Sequence, residues 1–220
     1  MNRRVYQTVR DKREWQEPPA PAAVEFEKTH GFRGWYTRGY LPHFDKPGVI
    51  QMVTYRLADA MPASRRHEWE ALLAIEDDRE RRTKIEEYLD RGHGECHLKD
   101  PRLATLVEEN LLHFDGGRYR LTAWVIMPNH VHVLFEMWDT PLAQIVQSWK
   151  TYTARMANRV LQRAGEFWQT EYWDRYIRDE DHFRKAVRYI ESNPIKAHLA
   201  KSAGEWRWGS ANPKWQWNVD

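Results

Sequence analysis

Cysteine is nearly missing from this chain: Cys96 is the one thiol in 220 residues. No internal disulfide can form, and a reducing cytoplasm is the expected compartment. Long apolar runs are absent as well. None approaches the 18 residues a membrane-spanning helix needs. The basic start, Met1-Asn2-Arg3-Arg4-Val5-Tyr6-Gln7, has no apolar stretch behind it, which argues against a secretory signal. A surplus of one charge sign is lacking too. A net charge of +2 neither demonstrates nor excludes a polyanionic partner, because the distribution of charge matters more than its sum. No internal repeat is visible. What the chain has in excess is tryptophan, 12 residues, a side chain suited both to cores and to stacking on unpaired bases.

The length suits one domain with extensions or two small ones, and it is enough to bury a core. Residues 1–34, with Pro18, Pro19 and Pro21, read as a polar, flexible arm, residues 35–200 as the domain, and residues 201–220 as a tryptophan-rich tail. The β-branched run Gly48 to Leu57 predicts a first strand, and a helix is expected from about Ser64 to Asp90 with a charged, solvated middle. Asp100-Pro101 opens a helix reaching about His113. Gly116-Gly117 then turns into a strand through Met127, and Pro128-Asn129 separates it from a second strand ending near Met137, predicting a hairpin. Thr140-Pro141 starts a helix toward Gly165, and Phe167-Trp168-Gln169-Thr170-Glu171-Tyr172-Trp173 reads as an aromatic loop. A last helix capped by Asp179 is expected to stop near Asn193, ahead of Pro194. This order predicts an α+β fold, an antiparallel sheet with helices on one face.

The chemistry concentrates in Met127-Pro128-Asn129-His130-Val131-His132-Val133-Leu134-Phe135. On a half-buried strand, His130 and His132 point to the same face and offer two nitrogens to one metal ion. The late helix carries Tyr189 and Asn193, four residues apart and therefore on one face. Packed over the histidine strand, Asn193 would complete a two-histidine, one-amide site beside a phenol, a set suited to attack on a phosphodiester. A divalent cation would polarise the phosphate. The set has no carboxylate, so Mn²⁺ is expected to serve at least as well as Mg²⁺. Tyr189 also reads as a packed core aromatic, with Tyr152, Tyr172 and Tyr176 as rival nucleophiles. The loop Gly92-His93-Gly94-Glu95-Cys96-His97 lacks the fourth ligand of a zinc site. Arg155, Arg159 and Arg163, with Lys150, form a basic ridge that suits phosphate contacts or simple solvation. The tryptophans of the tail suit base stacking or packing on the domain.

These motifs resemble a known family. His130-Val131-His132 is similar to the histidine-hydrophobe-histidine signature of the HUH endonuclease superfamily, and Met127 to His132 resembles that motif as written in single-tyrosine transposases. Phe167-Trp168-Gln169, Tyr176-Ile177-Arg178-Asp179 and Arg188 to Ala197 resemble later blocks of the REP-associated tyrosine transposases (RAYT). Arg38 to Asp45 and the Gly92-His93-Gly94 loop resemble a subgroup, so that the likeness runs over about residues 35–210. It implies a ferredoxin-like sheet, Tyr189 as nucleophile, His130 and His132 as metal ligands, and Asn193 in the third-ligand position. It also implies a divalent metal, Mg or Mn, and single-stranded hairpin DNA of the REP type as partner. Cleavage would run through a 5′-phosphotyrosine, in a monomer or homodimer of the bacterial cytoplasm, associated with the nucleoid when bound to DNA. Lys196, in the same block as Tyr189, joins Lys150 and the arginines as a candidate DNA contact. The alternative is a domesticated regulator that binds hairpins without cleaving them.

Overall fold

The computed structural model describes residues 14–15, 24–38 and 41–215. Its centre is a four-stranded, wholly antiparallel sheet made of β3 (Ile50–Arg56), β4 (Tyr119–Ile126), β5 (His130–Met137) and β6 (Trp173–Tyr176), in the order β4-β5-β3-β6. Two helices, α4 (Pro101–His113) and α5 (Leu142–Val160), connect the strands in a β-α-β-β-α-β succession. That succession and strand order are those of the expected ferredoxin-like sheet. A separate hairpin of β1 (Gly34–Arg38) and β2 (Leu41–Asp45) precedes it, after α1 (Val24–His30).

Alternation along the strands sorts the side chains onto two faces. Val53, Tyr55, Val131, Val133 and Phe135 join Leu103, Val107, Ile145 and Trp149 of the two crossover helices in the main core. Ile50, Val125 and Leu134 face the other way, against Phe183, Ala186 and Ile190 of α6 (Glu180–Lys196). The expected single helical face therefore holds for the crossover helices only. α6 covers the opposite face, and every residue of β4 and β5 is buried as a result. The histidine strand is thus buried on both sides, where alternation alone predicted one.

Other boundaries moved for local reasons. The helix expected over Ser64 to Asp90 is two, α2 (Arg66–Leu73) and α3 (Asp78–Asp90), because the Asp77 side chain caps a new start by accepting the Glu80 amide at 2.7 Å. Pro194 lies inside α6, which runs on to Lys196. Part of the expected aromatic loop is the edge strand β6, paired with β3 from Gln51↔Tyr176 to Thr54↔Trp173. Within the expected flexible arm, Val24–His30 is helical and Trp15 packs edge-on to Phe183; Pro18, Pro19 and Pro21 lie outside the described residues. Trp206, Trp208 and Trp215 pack on the domain, with the Trp206 indole donating to the Ile126 carbonyl at 3.0 Å; Trp217 lies outside the described residues. No helix among the described residues is long and apolar enough to cross a membrane.

Candidate active site

The β4–β5 turn aims His130 and His132 at α6, both of them 1% exposed. Their Nε2 atoms stand 3.1 Å apart. The proton of His130 can be placed from its neighbours. The Asn129 amide donates to the Leu89 and His93 carbonyls at 3.1 and 3.2 Å, which leaves its Oδ1 facing His130 Nδ1 at 2.8 Å. His130 therefore carries its proton on Nδ1, and Nε2 is a bare lone pair. His132 Nδ1 meets the Thr54 hydroxyl at 2.7 Å, a group able to donate or to accept. Burial, joined by the neighbouring His132 and Arg56, holds His130 well below the ordinary imidazole range, and burial with Lys196 pushes His132 down to about 3. Both rings are thus neutral at physiological pH, the form that binds metals.

α6 brings Tyr189 and Asn193 over this pair. The Tyr189 ring lies edge-on to His132 with centroids 5.3 Å apart, and Asn193 Nδ2 is 3.4 Å from His132 Nε2. Asn193 is buried and its Oδ1 has no hydrogen-bond partner among the described residues. A buried amide oxygen without a donor is costly, and a cation at the histidines would satisfy it. The donor set, two imidazoles and one amide oxygen, fits a borderline divalent ion. The expected convergence of Tyr189, His130, His132 and Asn193 is therefore present within a single chain. Burial raises the Tyr189 pKa well above the ordinary phenol value, and Glu86 and Asp90 push it the same way. The Lys196 ammonium sits over the Tyr189 ring, 4.4 Å from its centroid.

Sequence patterns do not reveal all of the site. Asn129 and Thr54, which orient the rings, look like ordinary turn and strand residues. α3, for which the sequence suggests no part in the site, lends Glu86 and Asp90 to a cleft of about 470 Å³ shared with Tyr189 and Lys196. A signal for these two lies in their spacing: they are four residues apart on one helical face. The side chains of the glycine loop turn to other partners. The Cys96 thiol donates to the Gly92 carbonyl at 3.1 Å, and the rings of His93 and His97 meet Arg65 and Arg163 at 3.0 and 2.9 Å. Its role is to carry the His93 carbonyl that fixes Asn129.

The basic ridge is not at the site. α5 lies across the sheet from the histidines, and its row ends before Arg163, since the helix stops at Val160. Arg155 and Arg159 are exposed there. Lys150 donates to the Gln169 and Thr170 carbonyls, and Arg163 to His97 and the Glu166 carbonyl, so both hold loops together. The rival tyrosines are elsewhere. Tyr152 is exposed on α5, Tyr172 is buried against Tyr36 and His43, and Tyr176 packs on Trp35 and Phe44.

Residues 100–193, which hold the histidine pair, Tyr189 and Asn193, match the family model "Transposase IS200 like". The match agrees with the resemblance to REP-associated tyrosine transposases drawn from the motifs. Among solved structures, the chain is similar to a REP-associated tyrosine transposase bound to a REP hairpin, with 16% identity over 84% of this chain and 91% of that one, and a TM-score of 0.47. A protein assigned as a transposase, from Deinococcus radiodurans R1, is 17% identical over 72% of this chain and 96% of its own, with a TM-score of 0.30. No curated protein matches the chain.

Proposed function

We propose that this protein is a transposase, a divalent-metal-dependent endonuclease and strand transferase of single-stranded DNA, which binds REP-type hairpins and cleaves through a 5′-phosphotyrosine at Tyr189. One observation carries the reading: a phenol, two neutral imidazoles and a buried, unpartnered amide oxygen meet in one chain, inside the segment that matches the transposase family.

His130, His132 and Asn193 would hold the ion, which when bound draws charge from a non-bridging phosphate oxygen. Everything else falls to the chain. The Tyr189 oxygen forms a bond to phosphorus, the bond from phosphorus to the 3′ oxygen breaks, and the departing strand takes a proton as a 3′-hydroxyl. Burial and two nearby carboxylates oppose a free phenolate, so the phenolic proton leaves as the new bond forms rather than beforehand. Lys196, above the ring, would meet the incoming phosphate. The phosphotyrosine keeps the energy of the broken bond, so a second 3′-hydroxyl can reverse or redirect the reaction. Arg155 and Arg159, exposed across the sheet, remain available to the phosphates of a hairpin stem. Lys150 and Arg163 would have to leave their carbonyls to contribute.

The test is a covalent-adduct assay with a REP-type hairpin oligonucleotide and Mn²⁺. The parent chain is expected to give a protein–DNA adduct that survives denaturation, Tyr189→Phe none, and Tyr152→Phe the parent level. Chelation of the metal is expected to abolish the adduct. An adduct retained by Tyr189→Phe, or one indifferent to chelator, overturns the mechanism. Tight hairpin binding with no adduct under any divalent metal supports the non-cleaving regulator instead.

A further inference from the structure

One group at the histidine pair has no part in the chemistry above. Asp90 ends α3 with its side chain 20% exposed, yet its Oδ1 is buried, lacks a hydrogen-bond partner among the described residues and stands 4.0 Å from His130 Nε2. The facing nitrogen is the one that Asn129 leaves bare. A carboxylate oxygen and an imidazole lone pair, both desolvated and neither carrying a proton toward the other, repel unless a cation lies between them.

We propose that Asp90 is a carboxylate ligand of the divalent ion, completing the set of His130, His132 and Asn193; the proposal rests on the reading that this pair holds a metal. Spacing supports it. With ligand bonds of about 2.1 Å, neighbouring octahedral ligands lie about 3.0 Å apart and opposite ones about 4.2 Å. The Nε2–Nε2 and Nε2–Oδ1 separations are 3.1 and 4.0 Å. Among the described residues no three histidine, cysteine or carboxylate groups converge as a metal cluster, so Asp90 would have to draw closer to His132 to join the set. Anchorage supports it too. The residue before Asp90 lends the carbonyl that holds Asn129, so one helix end both aims His130 and presents the acid. Charge gives the third argument. Glu86, Glu87 and Asp90 line the cleft against Arg91 and Lys196, and a phosphate backbone enters an acidic cleft only where a cation offsets it. A carboxylate ligand also changes the metal preference expected from sequence, since a hard anionic oxygen restores affinity for Mg²⁺.

The experiment is calorimetric titration of the full chain with Mn²⁺, and separately with Mg²⁺, without DNA. Asp90→Asn, nearly isosteric, is expected to weaken Mn²⁺ binding by about 10-fold or more and Mg²⁺ binding by a larger factor. Asp90→Glu is expected to recover part of the loss. Glu87→Gln, which removes the same charge from the same cleft, is expected to bind as the parent does. Melting curves without metal show whether Asp90→Asn is folded, and Asp90→Glu serves if it is not. Parental affinity in Asp90→Asn, with binding abolished by His132→Ala, overturns the role of Asp90 and leaves the metal reading standing. Binding indifferent to His132→Ala overturns the metal reading itself. Equal losses in Asp90→Asn and Glu87→Gln overturn ligation in favour of a general field effect.

Discussion

The two histidines differ in how firmly their protons are placed, and that difference resides in single neighbours. Asn129 is locked by two carbonyl acceptors, so it has only its oxygen to offer His130. Thr54 can rotate its hydroxyl hydrogen, so His132 is free to expose a lone pair when a cation arrives. Replacement of Asn129 by alanine removes the lock and takes one buried hydrogen bond from each of the Leu89 and His93 carbonyls. The expected result is a loss of Mn²⁺ affinity of about 10–100-fold, and of roughly 1–3 kcal/mol in stability by denaturant titration. Unchanged metal affinity in a folded Asn129→Ala chain would sink the tautomer argument. The histidines themselves are legible from a one-residue gap on a strand, and Tyr189 with Asn193 from a gap of four on a helix. Asn129 is visible as a letter but not as a lock, because the carbonyls that fix it come from residues some 36 to 40 positions away.

At the scale of elements, the helices are the easier part, since caps are local. Asp100 accepts the Arg102 amide at 2.9 Å ahead of Pro101, and Asp179 the His182 amide at 2.7 Å, as their sequences indicate. β6 is only four residues long and gains its identity from β3, so nothing within Trp173–Tyr176 distinguishes it from loop. The segment at Lys214 and Trp215 is held by a contact of the same long-range kind. Glu108 on α4 is 3% exposed at its side chain, meets Lys214 at 2.7 Å, and accepts the Trp124 and Trp215 indoles at 3.3 and 3.2 Å. Glu108→Gln removes the ion pairs with Lys214 and Arg207 and strands an amide among donors. It is expected to lower stability by about 1–3 kcal/mol, measured by thermal or chemical melting, while the adduct yield of the folded fraction stays at the parent level. Equal stability of the two chains would mean that the tail is held by apolar packing alone.

Over the whole molecule, one buried acid ties the β1–β2 hairpin to the main sheet layer and sets a pH dependence. Asp45 is 1% exposed and accepts the amide of Leu142, the first residue of α5, at 3.0 Å. Burial is the main cause that lifts its pKa to about 6, against about 3.9 for an unfolded aspartate. The folded chain thus keeps a proton that the unfolded chain releases between these values. The contribution is full below the unfolded pKa and is lost as pH rises through about 6. Between about pH 4 and about pH 7 it should amount to roughly 1–2 kcal/mol, allowing for solvent screening. Asp45→Asn keeps the acceptor without the charge, so the stability difference between parent and variant should grow in the variant's favour as pH rises. A difference that is flat with pH would contradict the assignment.

The sequence by itself determined the α+β class, the β4–β5 hairpin, the main helices and the four side chains of the candidate site, because each follows from spacing along one element. Strand alternation and the helical repeat are short-range geometry, and a reader can count them. Only the tertiary structure decided that α6 closes the face of the sheet opposite α4 and α5, that Arg155 and Arg159 stand across the sheet from Tyr189, and that Asp90 reaches His130. Such outcomes depend on how apolar faces from distant parts of the chain share one sheet. Burial is a property of the assembled layers, and no single segment carries it.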